Sequence, residues 1–416
     1  MGKKKIFYLV SIICLSPILM SIADDWTKWR GPQGTGISQE TNWNPNALSS
    51  NLKILWKANV GKGHSAFAVK GNCLYTMGLH VIQTITDTLY EDIVYCLNAE
   101  TGKEIWRYAY ASRYLRWPGP GSTPVLDGTR LYTLSRDGDL FCFNAQNGRV
   151  FWRKNIVNEG LTEIPVWGFC ASPFIYKDLL VINACESGLA LNKTNGHVIW
   201  KSESVQGRLS TPVLYQEDGK DRLAIMANEQ LYSVEPMTGK VLWSHPWTTY
   251  TDPIVLDDTM LLTGYNDGSA LLKIQNNQPE IIWQNKRVHA SSFINFVVVN
   301  GYAYGSVNDR RKQPFQCINL KTGKAQWTKD LGDWGSLIAA GNYLIILDGD
   351  GDLIIANAVP EGFQIVSQAK LFRLEHWRRY PDGDPNCCWT APVLANGKIY
   401  SRTTWGEMVC VDVSNQ

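Results

Sequence analysis

The chain has 416 residues, of which 44% are hydrophobic and 19% are charged, and its formal net charge is +2. This near-neutral balance excludes general affinity for polyanions such as nucleic acids, and the hydrophobic content excludes a largely disordered chain. The 17 tryptophans and 35 glycines are many for this length, and many of them fall in one repeated pattern.

The first residues have the pattern of a secretory signal peptide. Lys3–Lys5 precede an apolar run over Ile6–Ile22, and Ala23 is a small residue suited to cleavage before Asp24. Cleavage would remove three lysines and leave a net charge of about −1. We therefore expect residues 1–23 to be removed and the mature protein to be periplasmic or secreted, without a stable membrane span.

Two alternatives to a cleaved signal follow from the same residues. A lipoprotein signal at Cys14 is disfavoured, because Ile13 stands where a small residue is expected. An uncleaved anchor is disfavoured, because the apolar run is short for a helix that spans a bilayer. The mature chain then divides into an N-terminal extension, residues 24–50, and a repeat domain, residues 51–416.

The repeat domain consists of four-strand units with a period of about 40 to 50 residues. The pattern is clearest in residues 122–152, STPVLDGTRLYTLSRDGDLFCFNAQNGRVFW, where DG, DGD and NG turns separate apolar segments. Glycine suits such turns because tight hairpins require positive φ. Each unit is therefore predicted to form four antiparallel strands.

A Gly-x-x-x-Trp phrase closes most units. It occurs five times, at Gly102/Trp106, Gly148/Trp152, Gly196/Trp200, Gly239/Trp243 and Gly323/Trp327. An indole can bury about 200 Å², which stabilises the fold by several kcal/mol at ~25 cal/mol per Å². These tryptophans are therefore predicted to pack against the neighbouring unit rather than to bind a ligand.

The units number eight and predict a closed ring. The last unit has no fourth strand before Gln416, whereas Leu52–Trp56 has the pattern of a fourth strand with no unit before it. Pairing the two would leave no open sheet edge between the first and last units. The predicted fold is all-β: an eight-bladed β-propeller of four-stranded antiparallel blades, with the last blade closed by an N-terminal strand.

Several phrases carry a family resemblance. AETGKEIW, residues 99–106, resembles the docking motif of pyrroloquinoline-quinone (PQQ) repeat propellers, which include quinoprotein alcohol dehydrogenases and the outer-membrane assembly-factor propeller. WTKWRGPQGTGIS (26–38), WGFCASP (167–173) and CWTAPVLANGKIYSR (388–402) resemble secreted bacterial PQQ-like propeller proteins. The resemblance covers nearly the whole mature chain. It implies the fold, but the docking phrase occurs with and without cofactor and so implies no activity.

The candidate ligand face is the one that carries the loops leading into the innermost strands. These loops are long here and rich in arginine and aromatic residues, which bind carboxylates and stack on flat or sugar-like ligands. An ordinary solvated surface is the alternative. The candidate cofactor-binding residues are Arg116, Trp117, Trp167, Trp334, Arg378, Cys387, Cys388 and Trp389.

The adjacent cysteines Cys387 and Cys388 stand immediately before an innermost strand. The resemblance to quinoprotein alcohol dehydrogenases implies a strained disulfide between them that packs on the cofactor plane, although a chance pair is the alternative. The other cysteines follow a different pattern. Four occupy equivalent third-strand positions and are predicted to be small apolar fillers: Cys96, Cys142, Cys317 and Cys410.

Asp252 is the candidate catalytic residue. The heads of the innermost strands otherwise carry hydroxyl groups, at Ser65, Ser122, Ser172, Ser210, Ser292, Ser336 and Thr390. The resemblance implies an aspartate base beside a Ca²⁺ ion, but no matching Glu/Asn pair is recognisable by motif. The alternative is a channel-lining carboxylate bonded to backbone amides of the adjacent blade. The DGDGD turn at 348–352 lacks the remaining ligands of a calcium loop.

Three functions remain after this reading of the residues. The first is a monomeric ligand- or partner-binding scaffold of the cell envelope, whose partner is an envelope protein or a glycan. The second is a dehydrogenase dependent on PQQ and Ca²⁺ that oxidises an alcohol or sugar. The third is a different enzyme housed in the same channel.

Overall fold

The computed structural model describes residues 25–50, 52–113, 119–203, 209–227, 229–264, 267–288, 294–307, 314–332, 335–374 and 387–415. These residues form eight antiparallel sheets, which confirms the predicted eight-bladed β-propeller. The predicted signal peptide lies outside the described residues. Within them, no helix has both the length and the apolar character needed to span a membrane.

The chain begins with three short elements and then enters the blades in order. The elements are β1 (Ile37–Ser38), α1 (Ala47–Ser50) and β2 (Ile54–Asn59). Blade one contains β3 (Ala68–Lys70), β4 (Cys73–Gln83), β5 (Thr88–Asn98) and β6 (Glu104–Ala111). Blade two contains β7 (Val125–Asp127), β8 (Arg130–Leu134), β9 (Asp139–Asn144) and β10 (Val150–Asn155). Blade three contains β11 (Phe174–Tyr176), β12 (Leu179–Ile182), β13 (Leu189–Asn192) and β14 (Val198–Lys201).

The remaining blades repeat this arrangement. Blade four contains β15 (Val213–Glu217), β16 (Lys220–Ala227), β17 (Gln230–Val234) and β18 (Val241–Pro246). Blade five contains β19 (Ile254–Leu256), β20 (Thr259–Gly264), β21 (Gly268–Gln275) and β22 (Gln278–Asn285). Blade six contains β23 (Val297–Val299), β24 (Tyr302–Ser306), β25 (Phe315–Asn319) and β26 (Lys324–Lys329). Blade seven contains β27 (Ser336–Ala340), β28 (Tyr343–Leu347), β29 (Asp352–Asn357) and β30 (Gln364–Lys370), and blade eight contains β31 (Val393–Ala395), β32 (Lys398–Arg402) and β33 (Glu407–Asp412).

The ring closes as the sequence predicted. β2 pairs antiparallel with β33 and supplies the fourth strand of blade eight, with Trp56 opposite Cys410 and Lys57 opposite Val409. The segment that precedes blade one therefore completes the sheet of blade eight, and β33 is left without an open edge.

A fully buried arginine holds blade eight against blade one. Arg402 is 0% exposed, and its Nη1 donates to the carbonyl oxygens of Ser65 and Met77, each at 2.9 Å. Its Nη2 donates to the carbonyl oxygen of Gly61 at 3.0 Å. Backbone carbonyls thus solvate a cation whose burial would otherwise be costly. Burial lowers the pKa of this guanidinium to about 9.

Five docking tryptophans contact the next blade at a glycine. Trp106 of blade one donates from Nε1 to the carbonyl oxygen of Ala145 in blade two, at 2.8 Å. A Cβ atom on Gly148 would lie 2.7 Å from the Trp106 ring, so this glycine is needed for close approach as well as for its φ of +71°. The same pairing recurs in other blades, at Trp56/Gly102, Trp152/Gly196, Trp200/Gly239 and Trp283/Gly323. The predicted packing role of the tryptophans is confirmed.

The four equivalent cysteines lie inside the blades. Cys96 stands opposite Tyr75 on one side and Trp106 on the other, and it is fully buried. The same cross-strand triplet recurs as Tyr132/Cys142/Trp152, Tyr304/Cys317/Trp327 and Tyr400/Cys410/Trp56. No disulfide joins any two of the nine cysteines among the described residues. Their placement between aromatic rings fits the predicted filler role.

The N-terminal segment enters the central channel. Residues 26–38, here called the channel plug, contact the innermost strands of seven blades. Trp26 pairs with Val69 of blade one through two backbone hydrogen bonds, and the carbonyl oxygen of Thr27 accepts from Leu126 of blade two. Lys28 lies 5.4 Å from the ring centroid of Phe174 in blade three.

The plug continues through the other side of the ring. Arg30 donates from Nη2 to the carbonyl oxygen of Phe296 in blade six at 2.9 Å. β1 pairs parallel with β27, which gives blade seven a fifth strand. Ser38 then donates to the carbonyl oxygen of Leu394 in blade eight at 3.2 Å. These residues were predicted to form an N-terminal extension, and their position in the channel was not predicted.

Candidate functional site

A cavity of about 390 Å³ lies at the mouth of the channel, on the face that carries the loops leading into the innermost strands. We call this face the loop face, and the opposite face the turn face. The described residues around the cavity come from the plug and from seven of the blades. Three indoles are among them: Trp29 of the plug, Trp167 of a blade-three loop and Trp389 of blade eight.

The plug positions Trp29 in this cavity through Asp252. The indole Nε1 of Trp29 donates to Oδ2 of Asp252 at 2.7 Å. Oδ2 also accepts from Nδ2 of Asn295 at 3.2 Å, while Oδ1 accepts from the backbone N–H of Thr211 at 2.7 Å. Asp252 is 5% exposed. Both of its oxygens are therefore engaged, as in the alternative that sequence analysis left open for this residue.

The charge of Asp252 is set by opposing effects. Burial raises the pKa of this carboxyl above its usual range. The nearby guanidinium of Arg30 opposes the shift, and so do the hydrogen bonds from Thr211, Trp29 and Asn295. Three donors around one carboxylate stabilise its charged form. They also leave it poorly placed to accept a proton from a substrate, which weakens its prediction as a catalytic base.

Asp252 belongs to a ring of hydrogen bonds between blades. In this ring the backbone N–H at the head of one innermost strand donates to a side-chain oxygen at the head of the next. The donor and acceptor pairs are Ala66/Thr123, Thr123/Ser172, Ser172/Thr211, Thr211/Asp252 and Asp252/Asn295. Asp252 and Asn295 thus replace hydroxyl residues of a structural ring.

This ring shifts the predicted strand heads by one residue in three blades. The residues equivalent to Asp252 are Ala66, Thr123 and Thr211, rather than the predicted Ser65, Ser122 and Ser210. Most ring positions directly precede a proline, a signal that would have given the correct register. Asn295 was missed because its blade lacks that proline, and the predicted head Ser292 lies outside the described residues.

Arg136 supports the loop that carries Trp167. Its Nη2 donates to the carbonyl oxygen of Trp167, and its own carbonyl oxygen accepts from Phe169 at 2.9 Å. A Cβ atom on Gly168 would lie 2.9 Å from the Arg136 side chain, so the loop packs directly on this arginine. Arg136 is 4% exposed and was not predicted. The predicted site residue Trp167 therefore lies at the cavity, and the guanidinium of Arg136 supports its loop.

Trp389 lies at the cavity, but the two cysteines before it do not. The Trp389 ring stacks on His64, with centroids 5.7 Å apart and planes inclined by 20°. Cys387 and Cys388 are 3% and 0% exposed, and neither lines the cavity. The backbone N–H of Cys387 instead donates a hydrogen bond to Oγ1 of Thr404 at 3.0 Å. The predicted residues Arg116, Trp117, Trp334 and Arg378 lie outside the described residues.

Two further ionisable groups at the cavity are uncharged near neutral pH. Burial lowers the pKa of His64 to about 3, and the positive charges of Arg136 and Arg402 add to this shift. Burial raises the pKa of the Cys170 thiol, which Arg136 partly opposes. The described wall therefore presents aromatic rings, hydroxyls and an amide, with its charges confined to Asp252 and Arg136.

A buried carboxyl lies behind Arg136, between blades one and two. Asp92 on β5 is 1% exposed, and neither of its oxygens has a hydrogen-bond partner of normal geometry among the described residues. Burial, and next the nearby charge of Asp137, raises the pKa of Asp92 to about 8, with a further contribution from Asp139. The nearby hydroxyl of Ser112, and then the charge of Arg136, oppose this shift. Asp92 is therefore mostly protonated at neutral pH.

The described residues do not fit a Ca²⁺ ion with a tricarboxylate quinone. Ca²⁺ takes six to eight oxygen ligands, whereas the described residues of the cavity offer one carboxylate, Asp252, that three donors already engage. No group of three His, Cys, Asp or Glu side chains in the described part of the chain is arranged to hold a metal. Arg136 is the one guanidinium among the described cavity residues, whereas the quinone carries three carboxylates. The adjacent thiols do not reach the cavity.

Comparisons with known proteins agree with this architecture. A family model described as outer membrane protein assembly factor BamB matches residues 90–359. The chain is 23% identical to the outer membrane protein assembly factor BamB of Yersinia pestis over 302 residues, covering 66% of this chain and 70% of that protein.

Solved structures show the same fold. The crystal structure of BamB from Moraxella catarrhalis superposes with a TM-score of 0.61 at 16% identity, covering 88% of this chain and 99% of that one. Quinohemoprotein alcohol dehydrogenase from Comamonas testosteroni superposes with a TM-score of 0.71 at 13% identity, covering 94% and 81%. At these identities the likeness concerns the fold alone.

Proposed function

Because this chain belongs to the family of the outer membrane protein assembly factor BamB, we propose that it is a ligand- or partner-binding scaffold of the cell envelope that binds through its loop face. The observation that carries this proposal is the cavity of about 390 Å³ at the channel mouth. The plug closes the channel beneath it, so a ligand reaches the cavity from the loop face. Aromatic rings at a concave site are typical of binding surfaces.

The proposal favours binding over turnover. A hydrolase or dehydrogenase needs a general base within reach of its substrate. The three donors around Asp252 occupy the positions from which a substrate hydroxyl would approach, and His64 is stacked on Trp389. These contacts support a scaffold in which Asp252 joins blades and fixes the plug.

The proposed location is the cell envelope, and the proposed state is a monomer. Export rests on the lysine-flanked apolar run at the N-terminus. The similar proteins are named for the assembly of outer membrane proteins, and an envelope protein partner is our proposal for this chain. Size-exclusion chromatography with light scattering would test the monomer.

Site-specific photo-crosslinking tests the binding face. A benzophenone amino acid is placed at Val166, which is 86% exposed beside Trp167 on the loop face. The matched control is Met237, which is 48% exposed in a third-to-fourth-strand turn on the turn face. Both variants are expressed in the native host, irradiated, and compared by immunoblot and mass spectrometry.

We expect a discrete adduct from position 166 that is absent from position 237 and is lost when Trp167→Ala is added. Equal adducts at both positions, or none at 166, would contradict the loop-face proposal. Dye reduction by the purified protein after incubation with PQQ, Ca²⁺ and a simple alcohol would contradict the non-catalytic role.

A further inference from the structure

We infer that the cavity binds one uncharged aromatic ring, of the size of indole or phenol, between the indoles of Trp167 and Trp389 and above that of Trp29. This inference deepens the proposed function and rests on the loop face being the binding face. The ring belongs either to a small molecule or to a side chain of the protein partner. The experiment below distinguishes these two sources.

The cavity wall is preorganised for stacking. Trp29 is fixed by its 2.7 Å hydrogen bond to Asp252, and Trp389 is fixed by its stack on His64. The loop of Trp167 packs on Arg136 through Gly168. Aromatic pairs are worth about 0.5–1.5 kcal/mol beyond burial of their area. Rings that are already held in place lose little conformational entropy when a ligand ring enters.

The charges around the cavity favour an uncharged ring. Asp252 repels an anion, yet its oxygens are engaged by Trp29, Asn295 and Thr211, which leaves it few lone pairs for a cation. Arg136 repels a cation and is directed to the carbonyl oxygen of Trp167. His64 and Cys170 are uncharged near neutral pH. An uncharged ring avoids the desolvation cost that a charged ligand would meet at this largely apolar wall.

Two hydroxyls give the ring one polar contact. Ser172 and Thr211 line the cavity, and each accepts a backbone N–H from the preceding blade. Neither hydroxyl donates a hydrogen bond to another described residue, so its hydrogen is available to a ligand oxygen. A phenol oxygen can accept this bond, and an indole N–H can donate to the remaining oxygen lone pair. Benzene-like rings without a polar atom should bind more weakly.

The test uses Cys170 as a reporter, because it is the one cysteine that lines the cavity among the described residues. The full mature chain is treated with iodoacetamide, and alkylation of Cys170 is followed by mass spectrometry. Half-buried Cys73, at the start of β4 and away from the cavity, is the internal control. The probes are indole, p-cresol, benzoate and glucose, each at matched concentration.

Indole and p-cresol should slow alkylation of Cys170 by about fivefold or more at saturation, as occupancy above four-fifths requires. They should leave Cys73 unaffected. Trp167→Ala should weaken the binding of indole by about tenfold, which corresponds to 1.4 kcal/mol. Trp167→Phe should retain most of the affinity of the wild type for indole. Stronger protection by benzoate or glucose than by indole, or no protection by indole, would overturn the inference.

A blocked tripeptide, acetyl-Ala-Trp-Ala-amide, is compared with free indole to find the source of the ring. Protection by both indicates a partner side chain, and protection by indole alone indicates a small molecule. If indole does not protect Cys170 but position 166 still forms cross-links, the aromatic ligand is rejected and the proposed binding function of the loop face stands. Loss of both would reject the function itself.

Discussion

The indole of Trp29 donates a 2.7 Å hydrogen bond to Asp252, although the two residues are 223 positions apart in the chain. This bond joins the channel plug to the head of an innermost strand in blade five. Asp252 in turn accepts from Thr211 of blade four and contacts Asn295 of blade six. The plug is therefore an integral part of the site and of the ring that surrounds it.

Trp29→Phe should destabilise the protein by about 1–3 kcal/mol, because Asp252 loses a donor in a buried setting. Urea denaturation followed by circular dichroism measures the change. Trp243→Phe is the matched control, since Trp243 is 8% exposed and its Nε1 has no hydrogen-bond partner among the described residues. An equal loss in the two variants would mean that the Trp29 hydrogen bond contributes nothing beyond ring packing.

Gly148→Ala should destabilise the protein more than Gly128→Ala. Both glycines have positive φ, +71° and +59°, so each alanine carries a backbone cost of about 1 kcal/mol. Only at Gly148 does the added Cβ meet the Trp106 ring, at 2.7 Å, whereas nothing lies within 4 Å of it at Gly128. We expect the difference to be about 1–3 kcal/mol in thermal or urea unfolding. Equal losses would exclude close tryptophan packing as the reason for the glycine.

Asp92→Asn should make stability less dependent on pH. The folded protein holds the Asp92 proton up to a pKa of about 8, whereas the unfolded chain releases it near the ordinary value of 3.8. The folded state therefore binds more protons between these values, and Asp92 makes stability fall with rising pH by up to about 1.4 kcal/mol per unit. The variant lacks this slope.

The advantage of Asp92→Asn over the wild type should therefore be small at pH 4, grow towards pH 8 and then level off. Urea titrations at pH 4.5, 6 and 8 measure it. Asp258→Asn, at a side chain 68% exposed, is the control and should show no comparable trend. An advantage that shrinks as pH rises would contradict the raised pKa of Asp92.

Arg402→Met should destabilise the seam between blades eight and one by about 3–5 kcal/mol. The change leaves three buried carbonyl acceptors, of Ser65, Met77 and Gly61, without their shared donor. Arg130→Met is the control, because that guanidinium is partly exposed and contacts only Cys142 of its own blade among the hydrogen-bond partners in the described residues. Hydrogen exchange should rise first in β2 and β33. Unchanged exchange in these strands would show that Arg402 does not hold the closure.

The blade count and the closure could be predicted because their signals are local. Turn glycines and tryptophans mark each unit, and the unmatched strand around Trp56 had one place to pair. The double role of Gly148 was hidden, because the residue that requires it, Trp106, belongs to the preceding blade. Spacing within one repeat cannot reveal a contact between two repeats.

The site was predicted less completely for related reasons. Residues 26–38 lie outside the repeats, so no periodicity indicated that they fill the channel. Asn295 and Arg136 carry no motif, and their roles come from the order of blades around the ring. The predictions of Trp167 and Trp389 at the channel mouth agree with the cavity, whereas Cys387 and Cys388 are buried away from it.

The path of the plug also determines which face of the molecule would point away from a surface to which the N-terminus is attached. Asp25 accepts a hydrogen bond from Gly71 in the first turn of blade one, so the path into the channel starts on the turn face. A tether attached at the N-terminus would therefore leave the molecule from the turn face. The aromatic cavity would then lie on the side of the molecule away from the tether.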